Sequence, residues 1–177
     1  MRGSLGSNKH NKVKAMGREK KLAKRLGGLA QPGSGSGDNK GDVITDTYLI
    51  DDKFTDSKSY TVTVETLNKL SREARNHDKE PILLIKYTKK MPPFTPSEWC
   101  LIPGYLLLNG VYDEVDIKNK STIISINMVG SLVKNSAKDE KDPTRKYSFY
   151  ECALGCSREW VLCPLEYLKQ RDYFDSE

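Results

Sequence analysis

The sequence predicts an α/β protein, and three observations carry that reading. Two short runs, Val43-Ile44-Thr45 and Tyr48-Leu49-Ile50, are β-branched, aromatic and aliphatic, as strands of a half-buried sheet require. Ahead of them "AMGREKKLAKRLGG" has helical spacing and a glycine stop. Behind them, "EWCLIPGYL" at Glu98–Leu106 recurs as "EWVLCPLEYL" at Glu159–Leu168, each preceded by a helix-forming stretch and an apolar strand. That recurrence predicts a duplicated helix–strand–strand unit.

The first helix ends at Gly27-Gly28. Ala15, Leu22, Ala23 and Leu26 share one face, and Glu19 falls on it too. Its neighbours three and four residues away are Ala15, Met16, Leu22 and Ala23, so no lysine or arginine of the helix pairs with it. Arg18, Lys20, Lys21, Lys24 and Arg25 occupy the rest of the circumference. The helix's one acid therefore points where the core should lie. Next comes "AQPGSGSGDNKGD", Ala30 to Asp42, a Gly/Ser-rich loop. No Gly-Lys-Ser/Thr follows it, so it is not a P-loop. Its small residues would still let backbone N–H groups approach phosphates.

The hairpin is informative at its ends. With Asp46-Thr47 at the turn, Ile44 faces Leu49, Val43 faces Ile50, and Asp42 faces Asp51. Like charges opposite one another destabilise a sheet. At an effective dielectric near 20 the repulsion is roughly 4 kcal/mol for charges about 4 Å apart. Side chains alternate along a strand, so Asp51 and Lys53 share a face and Asp52 points away. Asp42, Asp51 and Lys53 then converge, with Glu19 supplied by the helix. Three carboxylates and a lysine suit a hard divalent cation with oxygen ligands, Mg²⁺ in particular, with Mn²⁺ able to substitute. Such a set fits phosphodiester hydrolysis.

Composition agrees. The chain has 177 residues, of which 37% are hydrophobic and 30% charged, enough for one ordinary domain with an appendage. No apolar run is long enough to span a bilayer and the basic N-terminus lacks a signal-like apolar stretch, so neither membrane association nor export is expected. Cys100, Cys152, Cys156 and Cys163 form no CxxC pair, which favours free thiols in a reducing cytoplasm. Residues 1–28 carry nine Lys or Arg against Glu19 alone, a balance of +8 in a chain whose total is +5. A basic segment on a mildly acidic body points to a polyanion, most simply nucleic acid, with Lys14, Arg18, Lys21 and Arg25 the candidate phosphate contacts.

Taken in order, "GREKKLAKRLGG", "PGSGSG", "GDV" and "LIDDKFT" resemble the PD-(D/E)xK nuclease superfamily, in its archaeal and phage Holliday-junction resolvase branch. The resemblance implies that Glu19 is the helix glutamate, that Ser34 and Ser36 belong to the serine-bearing loop, and that Asp42 is the first metal aspartate. Asp51 stands where the family has glutamate, one methylene longer, and Lys53 is the lysine. "KSYTVTVETLNKLSREARNHDKEPILLIKY" resembles the helix and core strand that follow. The resemblance covers about Lys12 to Tyr87. It implies a restriction-endonuclease-like mixed sheet flanked by helices and a Mg²⁺-dependent endonuclease, often a homodimer on branched DNA. It also implies work inside a cell, a host cytoplasm included for a phage-encoded member. The expected organisation is a nuclease-like core with its basic segment at 1–90 and a C-terminal α/β extension at 91–177, packed on the same sheet. A catalytically silent nucleic-acid-binding protein and a nuclease of linear duplex are the alternatives.

Overall fold

The computed structural model describes residues 16–31, 42–93, 95–106, 121–130, 150–152 and 160–170. Lys14, Ser34 and Ser36 lie outside them, as does Cys156. Helix α1 covers 16–25. It ends through Gly27, at φ 64°, and a 2.8 Å bond from Gly28 N–H to the Ala23 carbonyl. Glycine is required there because the left-handed conformation is costly for a residue with a Cβ. Gly28 has a second constraint. A Cβ built on it would sit 2.6 Å from the Ile44 carbonyl oxygen, so the chain leaves α1 in close contact with the first hairpin.

Strands β1 (Leu29–Ala30), β2 (Val43–Ile44) and β3 (Tyr48–Thr55) form an antiparallel ribbon. Val43 pairs with Ile50 and Ile44 with Leu49, the register read from the alternation of the sequence. Thr45 makes the turn. Its hydroxyl accepts from Tyr48 N–H at 2.9 Å and Thr47 N–H at 3.3 Å, so it ends β2 rather than extending it. β4 (Ser59–Thr63) then leads into α2 (Val64–Asn76), whose N-cap Thr63 accepts from Thr66 N–H at 3.1 Å. Leu67, Leu70, Ser71 and Ala74 are buried along one stripe of α2, which carries the chain across the sheet to β5 (Glu80–Tyr87).

β5 runs parallel to β3, from Tyr48 opposite Glu80 to Thr55 opposite Tyr87. "EPILLIKY" is a nearly continuous apolar run because both faces of β5 are covered. Ile82 and Leu84 pack with Leu22, Ala23 and Leu26 of α1, whereas Leu83, Ile85 and Tyr87 pack with Leu67, Leu70 and Ala74 of α2. Among the described residues a mixed seven-stranded sheet flanked by helices results, in the order β1-β2-β3-β5, then β6 (Glu98–Pro103), β9 (Trp160–Pro164) and β8 (Tyr150–Cys152).

The two stretches that carry the recurrence in the sequence meet in the sheet. β6 (Glu98–Pro103) and β9 (Trp160–Pro164) pair antiparallel, with Trp99 opposite Pro164 and Trp160 opposite Pro103. Each strand thus presents the same Trp-to-Pro run to the other. β4 and β7 (Ser121–Ser125) pair in the same manner in a separate ribbon: Ser59 meets Ser125 and Ser121 meets Thr63. Strand, helix, strand, strand occurs once as β4, α2, β5, β6. It occurs again as β7, α3 (126–130), β8 (Tyr150–Cys152) and β9, after which α4 (Leu165–Gln170) follows. Both ladders are antiparallel, so each has a local two-fold of its own. The second unit adds β9 and β8 to the sheet that carries β3. No helix among the described residues is long and apolar enough to cross a membrane.

Candidate active site

Asp42, Asp51 and Lys53 meet at the end of the β2–β3 ribbon. Leu49 and Ile44 pack into the α2-side core, so by alternation Asp51 and Lys53 leave β3 on that face. Lys53 Nζ lies 2.5 Å from Asp51 Oδ1. Asp42 continues β2 by one step: its N–H donates to the Ile50 carbonyl at 2.9 Å, and its Oδ2 accepts from Asp52 N–H at 2.7 Å. That second bond ties the carboxylate to β3 and satisfies a strand N–H at the point where regular pairing stops.

The electrostatics are those of a crowded pair of acids. Asp42 is buried, and burial pushes its pKa up from the ordinary 3.8 to about 6. The neighbouring Asp51 charge is part of that rise, after burial, while Asp52 N–H and Lys53 work the other way. For Lys53, burial alone would favour the neutral amine. The charge and hydrogen bond of Asp51, with Asp42 behind, more than reverse this and hold its pKa above the usual lysine value. Lys53 is therefore an ammonium at neutral pH, a donor and a charge rather than a base.

Glu19 is half-buried, as its position on the apolar face of α1 requires, and burial raises its pKa against the pull of Arg18. α1 covers the face of the sheet opposite Asp51 and Lys53, yet the Glu19 charge still reaches Asp42 and helps to raise it. Among the described residues no three Asp, Glu, His or Cys side chains are gathered tightly enough to hold a metal ion. The reason is local: Asp51 is turned onto Lys53 and Asp42 onto Asp52 N–H. A cation at this position would draw Asp51 away from the ammonium.

One neighbour was not legible in the sequence. Tyr60 of β4 shares the inward face with Val62, is half-buried, and packs beside the α2-side core. Burial raises its pKa, and the Lys53 and Asp51 charges both act on it. Nothing in "KSYTVTV" marks that tyrosine, because its place depends on β4 folding back over β3. The basic residues of α1 also sort themselves. Arg25 forks onto Glu98, with contacts of 2.9 and 3.0 Å, and Lys86 meets the same carboxylate at 2.8 Å. Arg18 stacks 4.4 Å above the Phe54 ring, and Lys21 is exposed. Cys100 and Cys163 are free, buried and directly opposed across β6 and β9, and burial raises both thiols.

No protein-family model matches the chain, and no curated protein matches it. Among solved structures it is similar to Hjc from Archaeoglobus fulgidus, a Holliday junction resolvase from an archaeal hyperthermophile. The identity is 17%, the match covers 64% of this chain and 89% of that one, and the TM-score is 0.43.

Proposed function

We propose that this chain is a metal-dependent DNA endonuclease, with branched DNA such as a four-way junction as its substrate. The observation that carries the proposal is Asp42: a buried carboxylate beside Asp51, its pKa raised to about 6, on a strand pair that also holds a lysine ammonium. A fold retains like charges in such a place when a cation belongs there. Mg²⁺ suits the donor set, because it keeps several waters and is commonly held by one or two carboxylates together with substrate phosphate. Asp42 and Asp51 would hold it, with Glu19 acting through water or as a further ligand, and Mn²⁺ can take its place. The bound ion would polarise a phosphoryl oxygen and acidify an attacking water.

The chain's own residues do the rest. Released from Asp51, the Lys53 ammonium donates to the attacking water or to the phosphoryl oxygen on which charge develops. Asp52 N–H fixes one oxygen of Asp42, so the other is the oxygen free to meet the ion. Arg18 and Lys21 on α1, with Lys14, Ser34 and Ser36 in the flanking segments, position the phosphate backbone. Arg25 is engaged by Glu98, which leaves it the least available of these cations for phosphate. A homodimer acting inside the cell completes the proposal, two active sites being needed to cut two strands of a junction. The test is cleavage of junction, flap, linear duplex and single strand in Mg²⁺ and in chelator. Binding without cleavage in any metal would favour the silent alternative, and equal cutting of linear duplex would remove the junction preference.

A further inference from the structure

Among the described residues a cavity of about 230 Å³, partly open to solvent, lies on the α1 side of the sheet. Arg18, Lys21 and Arg25 line it from α1, with Asp52 from β3, Lys86 from β5 and Glu98 from β6. Glu98 is fully engaged: Arg25 and Lys86 bind it and hold its pKa below the usual value despite burial. That pairing consumes two of the four cations. Arg18 and Lys21 have no ion pair among the described residues. Asp52 has the opposite deficit among the described residues: its Oδ1 is buried without a hydrogen-bond donor, although the Lys86 and Arg18 charges act on the carboxyl.

The cavity therefore combines two cations outside any ion pair, Arg18 on the Phe54 ring and the exposed Lys21, with a carboxylate short of donors. A plain anion would meet the first need and not the second. An amine would meet the second and be repelled by the first. A nucleotide carries both groups, an anionic phosphate and a base edge that donates hydrogen bonds. At about 230 Å³ the cavity is smaller than the roughly 300–1,000 Å³ of pockets for drug-sized ligands, in keeping with a ligand no larger than one nucleotide. We propose that this cavity takes one unpaired nucleotide of the nucleic-acid partner, its phosphate on Arg18 and Lys21 and its base edge on Asp52.

Guanine is the favoured base, because it presents adjacent N–H donors on one edge in the pattern a carboxylate accepts. Leu22 supplies the apolar wall. Asp51 and Asp52 leave β3 on opposite faces, so the nucleotide would be held one residue along the strand from the metal-binding pair, on the other side of the sheet. Branched DNA offers such a nucleotide where pairing is interrupted, and enzymes that capture a single base take it out of the stack in this way. The inference rests on the nucleic-acid reading of the protein, but its test does not depend on cleavage.

The full chain, in chelator, is titrated by calorimetry with dGMP, dTMP, deoxyribose 5-phosphate and inorganic phosphate. dGMP should bind roughly tenfold or more tightly than deoxyribose 5-phosphate, the discrimination of a good base contact. Lys21→Ala should weaken every phosphate-bearing ligand, whereas Asp52→Asn should abolish the advantage of dGMP and leave deoxyribose 5-phosphate unchanged. Equal binding of dGMP and inorganic phosphate by the wild type would overturn the proposal, and so would no saturable binding of dGMP. The wild-type comparison decides the matter even if a variant fails to fold. Cleavage assayed in parallel separates the two readings. Junction cleavage without a dGMP preference removes the cavity's role and spares the nuclease, while a dGMP preference without cleavage does the reverse.

Discussion

Replacing Asp42 by Asn should stabilise the metal-free protein at neutral pH and leave it unchanged in acid. In the folded chain Asp42 holds its proton up to about pH 6, against an ordinary value of 3.8. A raised pKa means that the folded state binds the proton more tightly than the unfolded state. The stability contributed is complete below about pH 4 and is lost as pH rises through about 6. At about 1.4 kcal/mol for each pH unit between the two values, the loss reaches about 3 kcal/mol above pH 7. Asn keeps an oxygen for Asp52 N–H and abolishes the charge, so it escapes this loss. For a chain of this size that corresponds to a melting temperature roughly 6–12 °C higher than wild type at pH 8 in chelator, with no difference at pH 4. Saturating Mg²⁺ should narrow the gap from the other side. The wild type gains about 2.7 kcal/mol at a hundredfold excess over Kd and the variant gains little. Melting is followed by circular dichroism from pH 4 to 8, with chelator or with Mg²⁺. If wild type and variant keep the same separation at every pH, Asp42 is not a strained carboxylate and the argument for a cation fails.

Four further outcomes are expected. Asp51→Ala and Lys53→Met should each lower cleavage by several orders of magnitude while DNA affinity, read by gel shift, stays within a few fold. Glu19→Gln should raise the Mg²⁺ concentration needed for half-maximal cleavage more than it alters melting in chelator; a melting shift with no change in metal demand would make Glu19 structural. DNA affinity should fall with salt at a log–log slope of about −4 to −5 if roughly five phosphates are neutralised, and deleting residues 1–14, which removes Arg2, Lys9, Lys12 and Lys14, should flatten it. Gly28→Ala should destabilise the fold by about 1–3 kcal/mol, the usual cost of overpacking, because its Cβ would stand 2.6 Å from the backbone oxygen of Ile44; calorimetric melting measures this.

The sequence by itself determined whatever depends on neighbours along the chain. The turn at Thr45–Thr47 and the two-residue period set the register of Val43 on Ile50, and with it the side of the sheet taken by Asp51, Asp52 and Lys53. The same local logic ended α1 at Gly27 and placed Glu19 among Leu22, Ala23 and Leu26. The Trp-to-Pro repeat was legible as letters. Its physical meaning, two units meeting strand to strand at β4–β7 and β6–β9, was not. Only the tertiary structure decided which distant charges share a space. Arg25 looked like a phosphate contact until β6 brought Glu98 beneath it, and Tyr60 had no significance until β4 folded over Lys53. Asp51 and Asp52 are adjacent in sequence and chemically alike. Strand alternation separates them by the thickness of the sheet, giving one to a lysine and a paired acid and the other to a basic cavity beneath α1. Periodicity assigns each side chain a face, and the layers packed on that face then supply its partners.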